Sequence, residues 1–414
     1  MEIGMIAIGD ELLIGQVTDT NSGMVARAVE PLGWSLGETR VVHDDAGAIR
    51  GAVTDMLERY CIVLVTGGLG PTKDDITKSV LAEMFGGRLV ESAEVLENVR
   101  RIFRRRGLDM NRLTATQALV PDCCTVLENE VGTAPLMVFR QGEKMLVSMP
   151  GVPFEAEHAM TAKVLPMLRE RFAGRGATVR ETLVVAGITE SDMAEALESV
   201  EEALPHELHL AYLPQQGYIR LRVDGHAENA AAAEEVRVKV AMAVEDIRAV
   251  LGSKVIAVGD KSVEQVVMER LQARGMTMGA AESCTGGNIA HVMTMMPGVS
   301  GVFAGSVTSY SNAVKTGVLG VRPETLERFG AVSEPTAEEM ADGARRILGV
   351  DIAVATSGIA GPGGGSEEKP VGTVCMAVST AGATESRTYH LPGDRARVIN
   401  RATTEALKFL LEYL

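Results

Sequence analysis

Cys61-Ile62-Val63-Leu64-Val65-Thr66-Gly67-Gly68-Leu69-Gly70-Pro71-Thr72-Lys73-Asp74-Asp75 is the stretch on which the fold turns. Its first six residues fit a short strand buried on both faces. A glycine-rich polar loop follows, and residues 76–85 then take helical spacing. The same unit occurs twice upstream. Residues 3–8 read as a strand ended by Gly9-Asp10-Glu11, and residues 22–32 as a helix stopped near Gly33. Residues 36–42 read as a strand ended by His43-Asp44-Asp45, and residues 48–59 as a helix. Strand and helix alternating at short intervals predict an α/β fold with a parallel sheet covered on both faces. The polar clusters all follow strands, where ligands bind in open α/β sheets, so they should converge. Gly67, Gly68 and Gly70 let the backbone approach an anion, and Thr72, Asp75 and Asp44 face the same end. That set suits a phosphorylated ligand held with a divalent cation. The plainer alternative is a glycine-rich turn with solvated acids.

Bulk composition narrows the rest. The chain has 414 residues, 46% hydrophobic and 23% charged, which is globular and predicts two or three domains. A formal net charge of −15 and only 4% aromatics argue against a nucleic-acid binder, which needs a basic face or stacking platforms. Five cysteines without metal-ligand spacing read as reduced thiols in a cytoplasmic protein. The N-terminal apolar run lacks a preceding basic region, so no signal peptide is expected. No apolar run reaches the roughly 18 residues of a membrane span. The arginines among residues 100–106 read as a solvated helix face, with a phosphate- or dimer-facing role as the sharper alternative.

Beyond residue 176 the reading is strand 178–185, helix 191–200, strands 209–213 and 218–223, and a long helix 227–251. This order predicts a small α+β module, KH-like but without a GxxG loop, with a linking or dimerising role. Residues 252–260 read as a boundary. Next come helix 262–273, an apolar run 276–281 and Glu282-Ser283-Cys284-Thr285-Gly286-Gly287 before a helix at 288–296. Ser283 fits either a nucleophile or, with Thr285, a helix N-cap. Its base would be Lys315 if burial keeps the amine neutral; standing alone, Lys315 reads as a solvated lysine. Tyr310 can relay a proton or orient Ser283. Backbone N–H groups over residues 283–287 would form an oxyanion hole. A glycine-rich loop over residues 358–365 and Arg395 at a helix start suit a phosphate. Cys284 is the second candidate nucleophile.

Several motifs carry a family resemblance. Gly9-Asp10-Glu11-Leu12-Leu13, Asp19-Thr20-Asn21, GGLGPTKDD over residues 67–75, Val131-Gly132-Thr133-Ala134-Pro135 and Met149-Pro150-Gly151-Val152-Pro153 resemble the N-terminal half of the CinA family. That half is similar to the molybdopterin-binding domain of molybdenum-cofactor biosynthesis proteins. The resemblance implies hydrolysis of ADP-ribose to AMP and ribose 5-phosphate with a divalent metal. Asp44 and Asp75 match the functional acids and are the implied metal ligands. His43 departs from the Gly usual before this Asp. AESCTGG, TSYSNAVK, GAVSEPTAEEMA, SGIAGPGGGSEEKPVGTV and GDR resemble the family's C-terminal domain, a nicotinamide mononucleotide deamidase. This implies hydrolysis of the carboxamide to nicotinate mononucleotide and ammonia, with no cofactor. The family's Ser, Tyr and Lys fall on Ser283, Tyr310 and Lys315, and Thr285, Gly286, Ser357, Gly358, Gly361 and Arg395 are assigned to substrate.

The expected organisation is a molybdopterin-binding-like domain over residues 1–170, the α+β module over 176–256 and the amidohydrolase over 257–414. The expected partners are nicotinamide mononucleotide and ADP-ribose, in a homodimer. The reading from a different class is a nucleotide- or pterin-binding scaffold of competence or damage responses with degenerate sites.

Overall fold

The computed structural model describes residues 1–172, 175–229 and 231–414. It forms two compact units, Met1–Arg180 with Gly225–Val240, and Glu181–Asp224 with Ala241–Leu414. The first unit holds a six-stranded sheet in the order Ser35–Val42, Glu2–Ile8, Ile62–Thr66, Lys144–Met149, Leu136–Gln141, Thr125–Leu127. The first four strands run parallel, as the alternation of strand and helix requires. The last two are antiparallel and extend one edge, an addition the first third of the sequence does not announce. Side chains alternate cleanly across the sheet. Ile62 and Leu64 enter one core with Val25, Val29 and Met160, while Val63 and Val65 enter the other with Ile49, Val53 and Leu81. Both faces are therefore dry, and every residue of Ile62–Thr66 is buried.

The helices fall close to their expected places. Asn21–Val29 is α-helical and gives way to a 3₁₀ turn, Glu30–Leu32, because Pro31 ends the α ladder and Gly33 closes it at φ 68°. Ala46–Arg59 starts on Asp45, whose side chain accepts from the Ala48 N–H. The arginine-rich helix Ala93–Arg106 buries Val95, Asn98, Val99 and Ile102, and Arg104 pairs with Glu97 on its exposed face. That agrees with a solvated charge run.

The middle module is a four-stranded sheet in the order Leu208–Pro214, Ile219–Asn229, Arg175–Val185, Val255–Val258 with helices Glu190–Glu202 and Ala233–Leu251. Two expectations need correction. Residues 252–260 are not only a boundary, because Val255–Val258 pairs antiparallel with residues 183–185. The long helix begins at Ala233, and residues 227–229 continue a strand; Ala230 lies outside the described residues. Alanine-rich sequence has helical propensity, but the alternation from Ile219 onward wins where a sheet partner exists.

The C-terminal part carries a five-stranded sheet, Phe303–Thr308, Met278–Glu282, Ile352–Gly358, Thr373–Ser379, Thr384–His390. The first three strands are parallel and the last two antiparallel. One face packs Ala280, Val354 and Met376 against helices Val263–Arg274, Asn288–Thr294 and Arg395–Leu411. The other face is nearly all alanine: Ala281, Ala353, Ala355 and Ala377 lie under helix Glu334–Leu348. Small residues let this helix come close, and Gly343 is required where a Cβ would sit 2.1 Å from the Leu319 carbonyl oxygen. That contact presses the helix onto the wide turn Lys315–Leu319 and seats Lys315. Among the described residues no helix is long and apolar enough to cross a membrane.

Candidate active site

The sequence 278–296 folds as strand, turn and helix, and the turn places Ser283 at the carboxyl end of the sheet. Ser283 is 9% exposed and Lys315 only 1%. Lys315 Nζ lies 2.9 Å from Ser283 Oγ and donates to the Ser309 carbonyl oxygen at 2.6 Å. Burial holds the Lys315 amine below the usual lysine range, because an ammonium there loses its hydration. The two residues named as nucleophile and base therefore touch, although 32 positions separate them.

The alternative role for Ser283 and Thr285 does not hold. The N-cap of helix Asn288–Thr294 is Gly287, at φ 103°, with no side-chain cap of its own. Glu282 takes that place from the end of the strand. Fully buried, its carboxylate accepts from the N–H groups of Gly287 at 3.0 Å, Ile289 at 2.9 Å and Ala290 at 3.0 Å, and from the Ser306 hydroxyl at 2.8 Å. The helix start is thus filled, a correction to its expected role as open donors. Within the turn, Ser283 N–H donates to Thr356 and Gly286 N–H to Ser283. Among the described residues the amides of Cys284 and Thr285 have no backbone acceptor, and of these two residues only Cys284 borders the cleft above the pair. Thr285 itself is buried, its hydroxyl 2.8 Å from that of Thr356, and neither Thr285 nor Gly286 lines the cleft.

A cleft of about 220 Å³ opens over the pair, lined by Ser283, Cys284, Tyr310, Asn312, Lys315, Ala331, Val332, Ser357, Gly358, Ala360 and Arg395. Tyr310 is 63% exposed, and its hydroxyl accepts from Arg395 Nη2 at 3.1 Å, not from the pair. Arg395 Nη1 also donates to the Gly361 carbonyl at 2.7 Å, so this guanidinium ties the glycine-rich loop to Tyr310. Ser357 and Gly358 are strand residues rather than loop residues. Ser357 Oγ donates to the Ala331 carbonyl at 2.6 Å, and Lys369 Nζ to that of Val332 at 2.7 Å. Both bonds fix the 331–332 wall, which sequence reasoning missed because no motif chemistry marks Ala or Val. Cys284 sits in the apolar core beneath the turn, and burial pushes its thiol up to about 12. A neutral buried thiol is a poor nucleophile.

In the first unit a larger pocket of about 550 Å³ brings together Gly67, Gly68, Gly70, Thr72, Asp75 and Asp44 with Asp19, Asn21 and Glu155. The expected convergence of polar clusters after three strands is observed. Gly67 and Gly68 adopt φ 103° and 63°; a Cβ on Gly67 would strike the Ile8 carbonyl oxygen at 2.1 Å, so the loop can pass there only as glycine. Asp44 is raised above the usual carboxylate range by burial, with the charges of Asp10, Glu11 and Asp75 adding to it. Its Oδ2 accepts from the Asp10 N–H at 3.0 Å. His43 places Nδ1 2.8 Å from Asp10 Oδ1. The two acids expected to share a metal differ. Asp75 spends both oxygens inside its own loop, on Gly70 N–H at 2.6 Å, Thr72 N–H at 2.9 Å and the Thr72 hydroxyl. Among the described residues no three His, Cys, Asp or Glu side chains group to hold an ion. Asn21 Oδ1 is a buried acceptor without a partner. This donor set fits an ion held by one carboxylate and the ligand's own phosphates, in the manner of magnesium, not an all-protein cage.

Lys78 was missed. It is buried, donates to the Gln117 carbonyl at 2.9 Å, and is pushed down to about 8 by burial with Asp75 opposing. A lysine in the helical row of Ala82 and Phe85 is the signal that could have found it.

Comparison with known proteins places this geometry. The CinA C-terminal domain model matches residues 260–414, the damage-inducible protein CinA KH domain 180–257 and the probable molybdopterin binding domain 4–200. A CinA-like protein of Chloroherpeton thalassium is 41% identical over 389 residues, covering 93% of this chain and 91% of that protein. A putative competence-damage inducible protein of Caldicellulosiruptor saccharolyticus is 37% identical, covering 98% of this chain and 97% of its own length. Among solved structures, the competence/damage inducible protein CihA of Agrobacterium tumefaciens is 38% identical with a TM-score of 0.36, covering 36% of this chain and 92% of that chain.

Proposed function

The chain belongs to the CinA family, and we propose that its C-terminal domain hydrolyses the carboxamide of nicotinamide mononucleotide to nicotinate mononucleotide and ammonia. The observation that carries this is the buried Lys315 Nζ at 2.9 Å from Ser283 Oγ. The neutral amine takes the hydroxyl proton as Oγ bonds to the carboxamide carbon. The amide of Cys284, which has no backbone acceptor, receives the oxyanion. Collapse breaks the C–N bond, and the Lys315 ammonium returns its proton to the leaving amine. Water then attacks the acyl ester, with Lys315 again as base, and Ser283 is restored. Arg395 supplies the cation for the substrate phosphate. Ammonia release by wild type and Ser283→Ala tests this. No release by wild type sinks the deamidase; full activity in the variant sinks the nucleophile.

For the N-terminal pocket we propose metal-dependent hydrolysis of ADP-ribose to AMP and ribose 5-phosphate. What supports it is a carboxylate, Asp44, raised by burial among other acids beside a glycine-rich loop. Asp44 would hold the divalent ion, which when bound screens the diphosphate and activates water. Asp75 shapes the loop, and Gly67 and Gly68 let the diphosphate approach its backbone. AMP release from ADP-ribose with added divalent metal should vanish in Asp44→Ala; a variant matching wild type overturns this assignment. A homodimer and a cytoplasmic setting complete the proposal.

A further inference from the structure

Among the described residues, Glu282 is the fully buried carboxylate beside the Ser–Lys pair to which the reaction above gives no part. We propose that Glu282 is a positioning residue for Ser283 and Lys315, folding the 283–287 turn around its carboxylate so that Oγ faces the amine. The inference rests on the Ser–Lys reading of this site.

Four donors converge on the carboxylate: three amides that span the end of the turn and the first helical residues, and the Ser306 hydroxyl of the neighbouring strand. The turn runs from Glu282 back to Gly287, so these bonds close it as a loop on its own first side chain. Both ends are then fixed, and Ser283 N–H is pinned to Thr356 besides. The Glu282 carbonyl also accepts from the Ser309 N–H at 2.8 Å, and the Ser309 carbonyl is the second acceptor of Lys315. One residue thus organises the peptide that presents the nucleophile and the peptide that holds the base.

A second consequence concerns charge. The start of a helix after a strand attracts anions, and here a built-in carboxylate already occupies it. The helix start therefore offers the substrate's phosphate no open donors, whereas Arg395 lines the cleft and carries a cation to meet it. Glutamine cannot replace Glu282 without cost, because its amide nitrogen would face N–H donors and accept from none of them.

The test compares wild type, Glu282→Gln and Ser306→Ala by steady-state kinetics and by the rate at which a sulfonyl fluoride labels Ser283, read by mass spectrometry. Glu282→Gln should lower kcat by about 10²-fold with KM nearly unchanged, and slow labelling similarly, because small misplacements of a reacting atom cost that much. Ser306→Ala, which keeps the carboxylate and loses one donor, should lower both rates several-fold less. If Glu282→Gln does not fold, the Ser306→Ala result decides. Wild-type kcat and labelling in either soluble variant overturn the proposal, as does a loss confined to thermal stability. The labelling arm needs no substrate. Slow labelling in Glu282→Gln with no ammonia release from any form would uphold Glu282 and sink the deamidase.

Discussion

The loop 67–75 and the turn 282–287 occupy equivalent places, each at the carboxyl end of a buried parallel strand and before a helix, yet they handle charge in opposite ways. The first stands beside Asp44, an acid from the turn after strand Ser35–Val42 that is raised among other acids in a pocket of about 550 Å³. The second buries its acid completely on helix amides and presents to a cleft of about 220 Å³ a lysine whose pKa burial lowers. An accumulated negative charge is useful only where a cation and phosphates will arrive. A compensated acid and a dry amine are useful where a hydroxyl must be aimed and deprotonated. The same supersecondary unit serves both because the sheet fixes the place and the loop residues choose the chemistry.

The comparison can be broken most directly at Ser283. Ser283→Ala should leave less than about 10⁻³ of wild-type ammonia release while ADP-ribose hydrolysis is untouched. Next in size, Lys315→Met should cost about 10² to 10⁴ in kcat. In wild type the rate should fall as pH drops through the lowered Lys315 pKa, since only the neutral amine accepts a proton. Stability should show a matching slope. The unfolded chain binds that proton at ordinary lysine values and the native chain below them, so stability rises with pH between the two. Urea unfolding at several pH values should show a smaller rise in Lys315→Met. Asp44→Asn should abolish AMP release, yet unfold no more easily than wild type at neutral pH. Its pKa is raised, so the charged form is penalised in the native state and replacing it relieves that penalty. The smallest effect belongs to Cys284→Ala: about 1 kcal/mol of stability lost from the core, and kcat unchanged. A large loss of kcat there would return the thiol to the list of nucleophiles.

Much of the fold was legible because burial writes itself as pattern. Residues 62–66 and 352–355 are apolar on both faces and could only be interior strands. Helix Glu334–Leu348 is capped on Ser333 and carries Pro335 in its first turn, start signals that a sequence shows by itself. The hairpin 136–149 was not announced although its strands are largely buried, and the edge strand Thr384–His390 was not because half of it faces solvent and its apolar alternation is weak. Within the site, Ser283 and Lys315 were legible as reactive types in polar loops, whereas Ala331 and Val332 have no local mark of their positions.

Sequence alone determined the alternation of strands and helices in the parallel part of the sheets, the placement of polar loops after strands, and the identity of the reactive groups, because these follow from periodicity and side-chain chemistry. Tertiary structure decided the partners. A carboxylate to which the sequence attaches no role caps a helix several positions away, a serine that resembled a cap faces an amine 32 residues on, and one of two similar aspartates is spent on its own loop. Hydrogen-bond reach is about 3 Å and sequence distance does not measure it, so only the folded chain assigns which donor meets which acceptor.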